Sequence, residues 1–447
     1  MGTKAVLMTD GSIPKRIVKF ALPIFFANLF QQLYNVVDSL VVGNFAGRDS
    51  LAAIASTGSL IFLLVGLFGG IFIGAGVVIS KYFGAGEEDK VQDAIHTAVA
   101  FGLISGVILS IVGSILAPQI LKLMGTPEDV FPKSVLYVRI YFGGILSVVM
   151  YNTANGIFQA IGDSKHPLYF LIVSSITNVV LDLLFVVGFH WGVGGAAIAT
   201  VISQSVSVVL AFYNLTHAKG IFKVNLKKIR IKGEMLKQIL HMGIPSGIQN
   251  SVISLANIVV QTNINSFGAI AMAGCGSYSK IEGFAFIPIT SFAFAMTTFI
   301  SQNLGAKQYD RAKKGTYFGM AVSLSLAELI GIIFCIFAPF LISLFNRDPE
   351  VIHYGTMQAR TITLFYCLLA LSHCMAGIMR GAGKSIVPMM VMLCCWCIFR
   401  VIYVTVTMHF IHDIRVVFWA YPITWSLSSI IFIIYYLKSD WLHGFEK

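Results

Sequence analysis

Apolar residues recur along this chain in long runs that are separated by short polar segments. A helix rises about 1.5 Å per residue, so roughly 20 apolar residues cross the ~30 Å hydrocarbon core of a bilayer. The pattern predicts twelve such spans, at about residues 15–43, 52–84, 92–117, 132–161, 166–190, 194–217, 236–265, 271–304, 312–340, 352–380, 386–410 and 415–438. The expected fold class is therefore an all-α polytopic membrane protein with twelve transmembrane helices.

The first span carries a polar stripe. Four polar residues follow one another at spacings of three, four and three, namely Asn28, Gln31, Asn35 and Asp38. These spacings place them on one face of a helix, and Tyr34 lies one turn before Asp38. An Asp near the middle of a span costs roughly 2.5–3.5 kcal/mol on insertion scales and usually marks an ion or substrate path. We expect a hydrated cavity here, although an Asp that only ties two helices together remains an alternative.

The two halves of the chain repeat each other. ALPIFFAN at 21–28 corresponds to MGIPSGIQN at 242–250, and GIFQAIGDSKHP at 156–167 corresponds to GIMRGAGKSIVP at 377–388. The offset is 221 or 222 residues throughout. Each half holds six predicted spans, and an even number of spans makes the halves parallel repeats.

The repeat predicts two homologous six-helix lobes, at residues 1–217 and 236–447, joined by a basic cytoplasmic linker at 218–235. Two duplicated lobes that enclose a cleft are typical of an alternating-access transporter. If the linker and both termini are cytoplasmic, 22 of the 31 Lys and Arg residues lie on that side. This asymmetry follows the positive-inside rule for a multi-pass protein of the cell inner (plasma) membrane.

Composition excludes several classes of protein. Only 11% of the 447 residues are charged, against about a quarter in soluble domains. The net charge of +11 lies in short loops between spans, so we expect no nucleic-acid partner. The seven cysteines lie in apolar segments of the second half, which suits reduced thiols. The chain has no catalytic or phosphate-binding motif, so we expect neither an enzyme nor a cofactor.

The repeat shows an asymmetry at the positions of Asp38 and Asp182, where only the first half carries a carboxylate. The repeat sets Asp38 opposite Val260 and Asp182 opposite Tyr403. Ion coupling is therefore expected in the N-terminal lobe.

The oxygen-bearing side chains of spans five and six extend this expectation. Asn178 and Asp182 lie one turn apart in span five, and Thr200 lies in span six. Together with Asp38, these side chains would offer oxygen ligands to a hard monovalent cation such as Na⁺. The two carboxyl groups could equally share a proton, because burial and a second carboxylate both favour the protonated form.

Four motifs in combination resemble one family of secondary transporters. They are the LP…Q…VVDSLVVG pattern of span one, SKYFGAG, FQAIGDSKxP and NVVLD. The chain resembles the multidrug and toxic compound extrusion (MATE) family over about residues 12–440, and within it the prokaryotic DNA-damage-inducible F-like branch. The resemblance implies a V-shaped pair of lobes around a central cleft. It also implies export of organic, often cationic compounds in exchange for H⁺ or Na⁺.

The resemblance also implies a set of ion-linked residues. Carried onto this sequence, the set is Tyr34, Asp38, Asn152, Asn178, Asp182 and Thr200. One departure concerns span seven, where other branches carry a Glu eight residues after the proline. Ile253 occupies that position here, so a cation site in the C-terminal lobe is not expected.

Other polar residues inside spans are candidates for the substrate cleft. They are Gln31, Asn35, Asn257, Gln261, Lys280 and Glu282. Lys280 and Glu282 lie two residues apart and point to different sides of a helix, so they are not expected to pair. Glu328 and Arg400 are further charges inside spans, and Arg400 is a candidate partner for Glu328.

The function predicted from the sequence is a secondary antiporter in the lipid bilayer that exports a small organic substrate against H⁺ or Na⁺. The alternative is a lipid or lipid-linked oligosaccharide flippase of the same superfamily. We expect a monomer. A major-facilitator carrier is disfavoured because the loop between spans two and three reads GAGEEDK, which is acidic on balance.

Overall fold

The computed structural model describes residues 6–46 and 48–446, and all the regular structure in these residues is helical. The first seven α-helices are α1 (Ile13–Val41), α2 (Arg48–Ala85), α3 (Glu88–Leu123), α4 (Phe131–Gly143), α5 (Ile145–Ala160), α6 (Lys165–Asp182) and α7 (Gly192–His217). The others are α8 (Gly233–Asn265), α9 (Ala269–Gly305), α10 (Tyr309–Ser343), α11 (Pro349–Ile362), α12 (Tyr366–Gly381), α13 (Ile386–Met392), α14 (Arg400–Phe410) and α15 (Ile414–Lys438). The predicted all-α fold is confirmed.

The helices follow the predicted spans in chain order. Among the described residues, ten helical segments are long and apolar enough to cross a membrane, and α4 with α5 would make an eleventh. These two helices bend by 48° at Gly144, where a Cβ atom would lie 2.2 Å from Cγ1 of Val201. The remaining predicted span, the seventh at about 236–265, corresponds to α8, which has 33 residues but carries amide side chains that lower its hydropathy.

The chain forms two compact units that do not divide where the repeat does. Unit 1 contains Leu22–Gly247 and a short segment that ends at Leu7, and unit 2 contains Met8–Ala21 and Ile248–Lys447. The first half of α8 therefore packs in unit 1 rather than with the rest of its predicted lobe at 236–447.

Paired glycines explain why the first half of α8 belongs to unit 1. A Cβ atom on Gly70 would lie 2.1 Å from the backbone nitrogen of Gly247, and one on Gly74 would lie 2.4 Å from that of Gly243. Each helix thus carries two glycines four residues apart at the crossing, the spacing that lets helix backbones approach closely in membranes.

The linker is also part of unit 1. Phe222 and Val224 are buried in the same apolar cluster as Val91 of α3. The ring of His96 accepts a hydrogen bond from the backbone N–H of Asn225 at 3.0 Å. The linker is therefore fixed to the beginning of α3.

Unit 2 holds the segment that precedes α1. The guanidinium of Arg311 donates to the carbonyl oxygens of Met8, Asp10 and Gly11 at 2.7 to 3.2 Å. The side chain of Met8 is 1% exposed, and its backbone N–H donates to Gln302 at 2.8 Å. One arginine of α10 therefore holds three backbone carbonyl groups of residues 8–11 in place.

Candidate ion-binding site

A small apolar cluster positions the acidic residues of unit 1. Val41 and Val42 at the end of α1 are buried against Val186 and Ala196. Asp38 precedes Val41 by nearly one turn, and Asp182 precedes Val186 by one turn. Burial of these four apolar side chains therefore brings the ends of α1 and α6 to the same place.

The carboxyl groups of Asp38 and Asp182 lie within hydrogen-bonding reach of each other. A hydrogen bond between two carboxyl groups needs a proton on one of them. Asp182 is 0% exposed. One oxygen of each group, Oδ1 in both, is buried and has no hydrogen-bond partner. Two adjacent acceptors without donors fit a further proton or a small cation.

Asn178 connects the pair to α7. With its amide oriented so that both ends are satisfied, its nitrogen donates to Oδ2 of Asp182 at 2.6 Å. Its oxygen then accepts from the backbone N–H of Thr200 at 3.3 Å. Asn178 is 1% exposed, so this contact fixes the Asp182 carboxyl in a dry position.

Thr200 links α7 to α1. Its hydroxyl donates to the carbonyl oxygen of Ala196 at 3.0 Å, which leaves its lone pairs free to accept. Tyr34 forms a side-chain hydrogen bond with Thr200, so the phenol is the donor. The structure thus brings together five of the six residues that the resemblance implied.

Asn152, the sixth residue, is not hydrogen-bonded to the other five in the described structure. It lies on α5, and its amide donates to the carbonyl oxygen of Val148 one turn earlier at 2.9 Å. The amide of Asn152 can donate to an incoming ligand only if it first breaks this hydrogen bond within its own helix.

A π-helical segment follows Asp182 directly, over Leu183–Gly188. Such segments are short, strained relative to α-helix and frequent at functional sites. This one turns the chain so that Phe185 approaches the start of α7. A Cβ atom on Gly195 would lie 3.0 Å from Cβ of Phe185, and this close packing sets the distance between α7 and Asp182.

Sequence reasoning missed two tyrosines near the carboxylates. Tyr137 and Tyr141 lie one turn apart on α4, and their rings stack at 6.3 Å. Tyr137 interacts electrostatically with Asp38 and Asp182, and Tyr141 interacts with Tyr34. Their spacing of four residues was visible in the sequence, but nothing there placed α4 beside α1.

The polar stripe of α1 continues below the pair. The amide nitrogen of Gln31 donates to the oxygen of Asn35 at 3.3 Å, and Asn35 is exposed. The predicted stripe is therefore an open face of the helix, and it leads to Asp38.

The candidate residues of unit 2 occupy separate places. Gln261 is exposed and donates to Asn265 at 2.8 Å. Lys280 is exposed, with its ammonium 5.5 Å from the centre of the Phe345 ring. Glu282 accepts from the hydroxyl of Tyr278 at 3.3 Å. Lys280 and Glu282 thus have different partners, as their spacing predicts.

The suggested pairing of Glu328 with Arg400 is wrong. The Glu328 carboxylate accepts from the backbone N–H of Cys367 at 3.1 Å, at the start of α12, where helix N–H groups have no partner within the helix. Arg400 is 1% exposed and donates to Thr424 at 2.8 Å and to Asn257 at 3.4 Å.

The arrangement in unit 1 offers a set of oxygen atoms of the kinds that bind cations. Its oxygens come from two carboxyl groups, an amide and a hydroxyl, the ligand types that hard cations prefer. The same carboxyl groups can exchange protons instead. Because Asp38 lies on a helix other than that of its partners, occupancy of the pair bears directly on how α1 packs.

Comparison with known proteins places this architecture in a family. The MatE family model matches the chain twice, over residues 23–184 and 245–406, at the offset of the internal repeat. The probable multidrug resistance protein YoeA of Bacillus subtilis (strain 168) is 29% identical over 385 residues, which cover 84% of this chain and 83% of that protein. The probable multidrug resistance protein YpnP of the same organism is 27% identical over 386 residues, covering 86% of each.

A solved structure shows the same fold. The crystal structure of MATE in complex with MaL6 has a TM-score of 0.92 and 22% identity, and the match covers 100% of both chains. Assignment to the DNA-damage-inducible F-like branch stays a prediction. The two matches of the family model cover most of the chain, and the relatives are membrane transporters rather than enzymes. The chain belongs to the MatE family of multidrug and toxic compound extrusion transporters.

Proposed function

We propose that the chain is a secondary antiporter that exports small organic compounds in exchange for inward H⁺ or Na⁺. The observation that carries the proposal is the pair Asp38–Asp182, whose two Oδ1 atoms are buried without a hydrogen-bond partner. An acidic pair of this kind is costly inside a membrane protein unless an ion or proton occupies it part of the time. No cofactor takes part in the exchange.

Each residue of the site has a proposed role. Asp38 and Asp182 bind the H⁺ or the Na⁺. Asn178 and Thr200 supply further oxygens and hold Asp182 and Tyr34 in place. Asn152 is proposed as an outlying member that joins only when the ion is bound.

The proposed exchange works through α1. An ion that enters from outside neutralises the carboxyl pair and favours close packing of α1 against α6 and α7. Loading of the cargo on the cytoplasmic side favours release of the ion to the cytoplasm. Reciprocity of coupling requires that the ion and the cargo weaken each other's binding by the same factor.

The cargo is proposed to contact polar residues inside the spans. The candidates are Gln31, Asn35, Asn257, Gln261, Lys280 and Glu282. Two relatives are named as probable multidrug resistance proteins, which supports an organic cargo of varied structure. The lysine and arginine asymmetry supports a plasma-membrane topology with both termini and residues 218–235 in the cytoplasm, and we propose a monomer.

Substitution of Asp38 tests the coupling role. In proteoliposomes with the Na⁺ and pH gradients imposed separately, Asp38→Asn is expected to reduce gradient-driven efflux of a fluorescent substrate to the level of empty vesicles. The gradient that drives the wild type identifies the coupling ion. Asp89→Asn is the control, because Asp89 is an exposed acid in the first turn of α3. Efflux by Asp38→Asn at the wild-type rate would refute the proposal.

A further inference from the structure

Unit 2 buries two guanidinium groups, and neither forms an ion pair with a carboxylate of the described residues. Arg400 has sufficient partners, since it bonds to Thr424 and Asn257 and its guanidinium lies 4.6 Å from the ring centre of Tyr421. Arg380, near the end of α12, is only 7% exposed and has far fewer contacts.

The contacts of Arg380 leave its charge poorly compensated. Its Nε has no hydrogen-bond partner, and its Nη1 reaches Oε1 of Gln249 only at 3.5 Å. Gln249 is itself 3% exposed, and its amide nitrogen lies 2.7 Å from the sulfur of Met392, a weak acceptor. A guanidinium remains charged in any environment. A buried charge without a partner is strongly unfavourable unless something else compensates it.

The fold does not require a charge at this position. In the first half of the chain the internal repeat places Gln159 opposite Arg380 and Ala27 opposite Gln249. Gln159 is neutral and donates to Asn155 on its own helix at 3.0 Å. Arg380 lies in the last turn of α12, where the helix dipole favours a cation. The helix dipole does not, however, provide a hydrogen-bond acceptor for Nε of Arg380.

Aromatic rings continue the site along α12. His373 precedes Arg380 by seven residues and therefore lies on the same face two turns away. The His373 ring packs edge-to-face on Trp396 with 5.5 Å between ring centres, and its Nε2 is buried without a partner. A ligand that carries a planar ring and an oxyanion, separated by at most about two helical turns, would contact His373 and Arg380 at the same time.

We propose that Arg380 and Gln249 bind an oxyanion, a carboxylate or a phosphate, carried by an aromatic cargo of the transporter. The cargo assignment rests on the proposed function and narrows its substrate class to compounds that include aromatic acids. The guanidinium presents two N–H groups in a fixed fork to the oxyanion, and the amide of Gln249 turns to donate a third hydrogen bond. Unit 1 holds the acidic pair, so the two units bind charges of opposite sign.

Equilibrium binding to the full chain in phosphatidylcholine nanodiscs tests the site. The probes are 1-naphthaleneacetate, its neutral isostere 1-naphthaleneacetamide and the cation 1-naphthalenemethylamine, measured by titration calorimetry. Arg380→Gln is expected to weaken binding of the acetate roughly tenfold or more, as loss of a charge-assisted pair does, and to leave the amide unchanged. Arg380→Lys keeps the charge and should retain most of the affinity.

Arg360→Gln is the matched control, since Arg360 is an exposed arginine of the same unit. It should alter the binding of none of the three probes. Equal weakening of all three probes by Arg380→Gln would show a structural role and overturn the proposal. Unchanged binding of the acetate would overturn it as well.

A second arm distinguishes cargo from lipid as the source of the oxyanion. The same titrations are repeated in nanodiscs that contain phosphatidylglycerol. We expect acetate binding to persist. If the anionic lipid abolishes it in the wild type, the oxyanion is a lipid headgroup and the cargo assignment is overturned. Neither binding experiment uses an ion gradient. Its result therefore does not depend on the outcome of the efflux assay of Asp38→Asn, and the two proposals can fail separately.

Discussion

At the scale of single residues, the candidate site in unit 1 is organised by the hydrogen bonds between its polar side chains. Asn178 donates to Asp182 and accepts from α7, and Thr200 donates within its helix and accepts from Tyr34. Oδ1 of Asp38 and Oδ1 of Asp182 accept no hydrogen bond in the described structure. These are the two oxygens that we propose as ligands of the coupling ion.

Asn178 is predicted to matter through Asp182 rather than through helix stability. Asn178→Leu keeps the number and branching of the side-chain heavy atoms but removes the donor to the carboxylate. We expect ion-driven efflux to fall ten- to a hundredfold, since a hydrogen bond to a charged group contributes about 1.5–3 kcal/mol. Efflux in proteoliposomes measures the effect. Thr177→Val is the control, because the Thr177 hydroxyl bonds only to the carbonyl oxygen of Val173, and equal losses in both variants would contradict the assigned role.

At the scale of helices, close glycine packing decides which unit a segment belongs to. The crossing of α2 and α8 uses Gly70 and Gly74 against Gly243 and Gly247. The internal repeat places Ser291 and Ala295 opposite the first pair, so the second half of the chain lacks these two glycines. Close crossings occur there at other glycines: a Cβ atom on Gly377 of α12 would lie 2.4 Å from the carbonyl oxygen of Ala293 on α9.

Adjacent glycines of α2 allow a matched test of the crossing. Gly70→Ala places a Cβ atom 2.1 Å from the Gly247 nitrogen, whereas a Cβ on Gly69 meets nothing within 4 Å. We expect Gly70→Ala to destabilise the protein by about 1–3 kcal/mol, the usual cost of overpacking. Gly69→Ala should be neutral or slightly stabilising because Ala favours helix. Thermal unfolding of the purified variants in detergent measures both, and equal melting temperatures would contradict the close crossing.

At the scale of the whole molecule, the duplicated units differ in charge. Unit 1 carries the carboxyl pair, and unit 2 carries two buried arginines in addition to Glu282 and Glu328. An antiporter needs the ion site and the cargo site to be distinct but coupled. Divergence of two copies after duplication can change the charges of each unit without altering the helical framework.

Energy balance predicts the stoichiometry for a cationic cargo. One charge moving down ~100 mV yields about 2.3 kcal/mol, and one pH unit adds about 1.4 kcal/mol. Exchange of one H⁺ for one monovalent cation cancels the electrical part and leaves roughly a tenfold gradient. We expect more than one coupling ion per cationic cargo in the wild type and at most one in Asp182→Asn. Parallel measurement of ion and dye fluxes checks this, and a wild-type ratio of one would contradict it.

The sequence alone determined the fold class, the six-plus-six repeat and most of the ion site. Hydropathy predicted the spans, because the thickness of the bilayer sets their length. The spacing of Asn178 and Asp182 placed both side chains on one face of a helix. The family resemblance selected Tyr34, Asp38 and Thr200. The sequence also showed that the second half has no carboxylate at the positions equivalent to Asp38 and Asp182.

Only the tertiary structure decided which helices meet. It brought Tyr137 into electrostatic range of the two carboxyl groups, directed Glu328 to a backbone N–H rather than to Arg400, and left Arg380 with a weak partner. It also moved the first half of α8 into unit 1. The reason is the same in each case. Periodicity fixes the face on which a side chain lies, whereas its partners depend on the packing of helices that are distant in sequence.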